Sequence, residues 1–156
     1  MPQDRDMAFR SILVPVDYSE PSRRALELAL TLDSDAQVSV VHVWDRPSYV
    51  GEQIVTHADG SRRSLSELIR DNAEREMTEF LAQVKVPAGK QYEHRLLSGE
   101  PVTAILAEAS KPGYDVLVVG TNGRSGMTKL LLGSVTEKLI RLSPIPVLTV
   151  PPPRSP

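Results

Sequence analysis

The chain alternates between short apolar runs and longer amphipathic stretches. Ile12 to Val16, Val38 to Val43, Val116 to Val119 and Val147 to Val150 are continuous runs rich in β-branched side chains, and Tyr92 to Leu97 is a weaker fifth. Continuous runs, as opposed to alternating ones, predict strands covered on both faces, the arrangement of a parallel sheet. Between them the apolar spacing becomes helical. Ala25, Leu28, Ala29 and Leu32 share one face, and Leu65, Leu68, Ile69, Phe80, Leu81 and Val84 mark a longer helix. Val102, Ile105, Leu106 and Ala109 mark a third, with Pro101 near its first turn, and Val135, Leu139 and Leu142 mark a fourth. The predicted order is β-α-β-α-β-α-β-α-β. Such alternation implies an α/β sandwich, flavodoxin-like or Rossmann-like, with helices on both faces of a parallel sheet. Ligands bind such sheets outside the carboxyl ends of the strands, where the strand order reverses.

Two segments break the pattern. Residues 45 to 63 mix Pro, Gly, His and charges and predict a flexible surface loop, with a lid as the sharper alternative. The tail after Val150, PPPRSP, predicts a short disordered end over 152–156. A length of 156 residues suits one domain, with its core at about 9–151. A net charge of −2 gives no field that would favour nucleic acid or a membrane surface. No cysteine is present, which removes disulfides, thiolate metal sites and cysteine nucleophiles. No apolar stretch reaches transmembrane length, and the mixed-charge start MPQDRDMAFR is no secretory signal, so a cytoplasmic location is expected.

Candidate chemistry gathers after the fourth strand. Gly120, Gly123, Gly126 and Gly133 follow it, and Ser134 opens the fourth helix. Glycine loses more backbone freedom on folding than any other residue, so such a run must turn the chain, cap it or permit a close approach. A strand, a glycine-rich loop and a helix start together form a candidate phosphate cradle, because N–H groups at a helix N-terminus attract anions. Arg124 and Lys129 add positive charge, and no Asp or Glu lies between 120 and 134. The P-loop pattern is absent, since Gly89-Lys90 is followed by Gln91; the dinucleotide fingerprint G-x-G-x-x-G is absent too. Spacing alone leaves open a structural turn with a glycine cap.

Gly120-x-x-Gly123, nine residues, then Gly133-Ser134 resembles the G-2x-G-9x-G-[S/T] pattern of ATP-binding universal stress proteins. ILVPVDYSEPSRRALELAL (12–30), VVHVWD (40–45) and SPIPVLTVP (143–151) resemble that family's opening strand and helix, second strand and closing strand. The resemblance implies five parallel strands in the order 3-2-1-4-5, as in adenine nucleotide alpha hydrolase-like folds, with ATP across the strand ends. Carried over residue by residue, it implies Pro15, Val16 and Asp17 at the adenine and ribose, and Val43 against the base. Val119, Gly120, Asn122 and Gly123 would line the ribose and inner phosphate. Gly133, Ser134, Val135 and Thr136 would meet the outer phosphates through N–H groups and hydroxyls. Mg2+ or Mn2+ would reach the protein through the phosphates. Asn122 stands where many relatives carry a bulkier basic or imidazole side chain. The resemblance also implies a homodimer through Pro146–Val150, consistent with a proline-flanked apolar edge strand.

Other polar residues have simpler readings. Asp17 fits a turn or cap as well as a ligand role, Ser19 is the better N-cap with Pro21 just inside the helix, and Ser134 is an N-cap candidate. His42 reads as a hydrogen-bonded core residue, Asp33-Ser34-Asp35 as a solvated turn and Arg62-Arg63 as a solvated pair. The functional expectation is a nucleotide-regulated stress-response protein. A slow ATP-hydrolysing enzyme and a nucleotide-free interaction module are the alternatives. No general base, arginine finger or carboxylate pair is evident for water attack, and SGGxDS and HIGH signatures are absent.

Overall fold

The computed structural model describes residues 9–44, 53–121 and 132–153. The elements are β1 (Ser11–Pro15), α1 (Glu20–Leu32), β2 (Gln37–Trp44), β3 (Ile54–Thr56), β4 (Arg62–Ser64), α2 (Leu65–Leu81), β5 (Glu93–Ser98), α3 (Pro101–Ala109), β6 (Val116–Gly120), α4 (Ser134–Leu142) and β7 (Val147–Val150). β5, β2, β1, β6 and β7 form one parallel five-stranded sheet in that order. Numbered within this sheet alone, the order is the expected 3-2-1-4-5.

The pleat sorts side chains to two layers. Ile12 and Val14 of β1, with Val38, Val40, Val116 and Val118, face α1 and α2 through Leu26, Leu30, Met77 and Phe80. Leu13, Val41, Leu117 and Val119 point the other way, toward Val102 and Ile105 of α3 and Leu139 of α4. Alternate residues of each central strand therefore bury on opposite faces, which is why these runs are apolar throughout. Removing one such side chain, as in Leu13→Ala, costs about 2–5 kcal/mol. β5 is an edge strand with four of its six residues exposed, which explains its weaker pattern. β7 is the opposite edge.

Three expectations need correction. Residues 54–64, expected to be irregular, form the antiparallel pair β3–β4. Its turn is closed by Asp59, whose Oδ1 accepts from the Ser61 N–H at 2.9 Å, and by Gly60 at φ 85°. The earlier part of that stretch lies outside the described residues, as does the tail from 154. The second helix stops at Leu81, and Val84 is buried in the turn beyond it. In α4 only Leu139 of the expected apolar stripe is buried; Val135 is 38% exposed and Leu142 61%.

At the amino ends of the strands sits a buried carboxylate. Glu108, 2% exposed, pairs with Arg95 and with Lys111 at 2.7 Å, and accepts from the Tyr114 hydroxyl at 2.8 Å. Burial pushes its pKa up, but the hydrogen bonds from Lys111, Tyr114 and Arg95 outweigh burial and hold it below the usual carboxylate value. Asp33 ends α1, and its Oδ1 accepts from the Asp35 N–H at 2.8 Å, which makes 33–35 a turn as expected. Arg63, expected as solvated, pairs with Asp71 of α2.

Candidate functional site

Strand succession reverses between β1 and β6, and a cleft of about 270 Å³ opens beyond their carboxyl ends. Pro15, Val16, Asp17, Val43, Val119, Gly120, Gly133, Ser134, Val135 and Thr136 all line it. Asn122 and Gly123 lie outside the described residues. The sequence reading missed Ser19, Ser22, His42, Pro101, Ile105 and Leu139, which line it too.

β1 hands over to α1 through a closed hydrogen-bonded turn. Val16 extends the ladder by donating to the Val41 carbonyl at 2.8 Å. Asp17 Oδ1 accepts from the Ser19 N–H at 3.0 Å and from the Ser19 hydroxyl, and the Asp17 N–H donates to Ser22 Oγ at 3.3 Å. Ser19 caps α1 by accepting from the Ser22 N–H, with proline in the first turn as expected. Asp17 is thus a turn residue that also lines the cleft. Tyr18, inside this turn, has φ 66°. The left-handed region costs a bulky residue roughly 1–2 kcal/mol, which its surroundings must offset.

His42 is half-buried at the cleft wall, a correction to its expected place in the core. Its Nδ1 lies 2.7 Å from the Val16 carbonyl oxygen. A carbonyl only accepts, so Nδ1 carries a proton. The Tyr18 ring stacks on the imidazole at 4.1 Å. Val43, Pro101, Ile105 and Leu139 add apolar lining to the cleft.

The β6 end answers part of the glycine question. A Cβ on Gly120 would stand 2.5 Å from the carbonyl oxygen of Pro21 and 2.6 Å from its carbon. This glycine lets the strand approach the first turn of α1, so its close contact is with the protein's own backbone. The Gly120 carbonyl accepts from the Thr136 hydroxyl at 3.0 Å. That hydrogen bond ties β6 to α4. Gly133, not Ser134, is the N-cap of α4, and Ser134 is its first residue. The caps of α1, α2 and α3 are Ser19, Ser64 and Glu100, each using its side chain; α4 has no side-chain cap bond. Among the described residues, no group of three or more His, Asp or Glu is placed to hold a metal ion, and no helix is long and apolar enough to cross a membrane.

This architecture, with its cleft at the reversal of strand order, has known counterparts. Residues 8–151 match the sequence model of the Universal stress protein family. The chain belongs to that family. Universal stress protein YxiE of Bacillus subtilis is 34% identical over 147 residues, spanning 91% of this chain and 99% of its own. The solved structure of MJ0577, a universal stress protein of Methanocaldococcus jannaschii, superimposes with a TM-score of 0.70 at 25% identity, covering 95% of this chain and 99% of that one. Another universal stress protein, solved in complex with cAMP, gives a TM-score of 0.54 at 25% identity, covering 92% and 97%. The family resemblance read from residues 12–30, 40–45 and 143–151 is therefore borne out, as is the fold it implied.

Proposed function

We propose that this universal stress protein binds ATP in the cleft and uses it as a regulatory ligand. The observation that carries this reading is an apolar surface and an uncapped helix start lining one cleft at the strand-order reversal. Val43, Pro101 and Ile105 offer an apolar surface suited to a purine, and α4 begins at the same cleft with Gly133 and Ser134. A helix start without a side-chain cap suits an anion, because its first N–H groups carry partial positive charge. The relative in complex with cAMP supports an adenine nucleotide as the ligand class. Asn122 and Gly123 are assigned to the inner phosphate by the glycine pattern alone.

A divalent ion, Mg2+ or Mn2+, is assigned to the phosphates, which supply its ligands along with water. Turnover is slow in this reading, since no carboxylate pair is built to orient a water. The protein acts in the cytoplasm as a homodimer through Pro146–Val150. The free edge of β7 and the exposure of Ile140 (42%) and Leu142 (61%) beside it in sequence support that pairing.

The test is direct. Heat-denatured purified protein is expected to release ATP on anion exchange. ADP together with measurable phosphate release would favour a hydrolase instead. Absence of any adenine nucleotide, with no heat of binding on titration with ATP, would leave an interaction module.

A further inference from the structure

Tyr18 does not line the cleft, but it stands between two residues that do, Asp17 and Ser19. Among the described residues it is the only non-glycine with positive φ. A bulky side chain persists in that region where its surroundings overdetermine it, and such positions cluster at binding sites. Here the surroundings join two elements. From behind, α2 holds the side chain: the hydroxyl donates to the Ala73 carbonyl at 3.3 Å, and the ring leans on Phe80 at 5.4 Å. In front, the ring lies on His42, with planes 26° from parallel. His42 lines the cleft and is bonded to the Val16 carbonyl, and Val16 lines the cleft as well.

We propose that Tyr18 is a positioning residue for the base-binding end of the cleft. It acts through His42, setting the plane of the imidazole and, through Nδ1, the direction of the Val16 carbonyl. The purine is held by the wall these two groups form with Val43. The inference rests on the nucleotide reading above. The phosphates in that reading meet the start of α4, whereas Tyr18 acts through His42 and the Val16 carbonyl at the ends of β2 and β1, so it bears on the base and not on the phosphates.

Calorimetric titration of the full chain with ATP, adenosine and inorganic tripolyphosphate separates these contributions. Tyr18→Leu removes the ring while keeping apolar bulk beside Phe80. It is expected to weaken ATP and adenosine alike by about tenfold and to leave tripolyphosphate unchanged. Tyr18→Phe keeps the stack and is expected to bind all three as the parent does. Unchanged adenosine affinity in Tyr18→Leu overturns the proposal, and so does equal weakening of all three ligands, which marks a general loosening. Should Tyr18→Leu fail to fold, His42→Asn, which retains a donor for Val16, is expected to show the same selective loss; equal loss for tripolyphosphate would again overturn it. A parent protein that binds none of the three ligands defeats the nucleotide reading itself, a result distinct from any difference between variants.

Discussion

Gly120 and Gly133 are separated by a simple geometric difference. At Gly120 a methyl group would strike the Pro21 peptide, and backbone atoms cannot rotate aside. Gly120→Ala is therefore expected to destabilise the fold by about 1–3 kcal/mol, read as a lower urea midpoint. Gly133 has φ −59° and ψ 151°, open to any residue. Gly133→Val, at an N-cap where valine is less favourable than glycine, should cost no more than about 1 kcal/mol in urea denaturation and leave the chain folded. In the ATP reading it abolishes binding, and undiminished affinity in calorimetry would count against the phosphate site. The run of glycines was legible as a signal, but not which backbone each one approaches. Sequence spacing records neighbours along the chain, whereas the Pro21 contact crosses from β6 to α1. Tyr18 carried no signal at all, because its backbone angle and its stack on His42 exist only once β2 and α2 are assembled around it.

Among the elements, the helices were easiest to read where their faces meet the sheet. α3 buries Val102, Ile105 and Ala109 as its spacing marks, with Leu106 partly buried. α1 buries Ala25 and Ala29 but leaves Leu28 38% exposed, its deeper contacts coming from Leu26 and Leu30. α4 has the same amphipathic spacing, yet Val135 and Leu142 stay exposed, because periodicity tells which face is apolar and not what covers it. The hairpin β3–β4 escaped notice because its strands are three residues long, below the length at which alternation can be recognised. It feeds directly into α2, whose start is a capping box. Ser64 Oγ accepts from the Glu67 N–H at 3.2 Å, and Glu67 accepts from the Ser64 N–H at 2.9 Å. Ser64→Ala is expected to cost about 1 kcal/mol in urea denaturation.

For the whole molecule, the layered parallel sheet followed from the alternation of patterns, since a right-handed parallel crossover leaves few arrangements; the strand order came from the family resemblance. Polar groups at the amino ends of the sheet were not legible, because Glu108 meets Arg95 and Tyr114 only in the folded chain. The Glu108 network makes stability depend on acid. Its folded pKa lies below the unfolded value of 4.5, so its contribution is complete above that value and is lost as pH falls through the folded one. Glu108→Gln should cost about 1–2 kcal/mol at pH 7, since Arg95 and Lys111 are 43% and 58% exposed and remain solvated. The gap between parent and variant should close below pH 4.5. A gap independent of pH would show that charge is not what Glu108 contributes. At this scale the homodimer is also open to test: light scattering at micromolar concentration is expected to give twice the chain mass, and Leu148→Lys on the β7 edge to lower it.

One small junction governs how the cleft can breathe. Gly120 touches Pro21 of α1 on one side and takes the Thr136 hydroxyl of α4 on the other. β6, α1 and α4 are thereby riveted at a single residue. Guests of differing girth must then be accommodated by Pro101 and Ile105, the panel that α3 contributes.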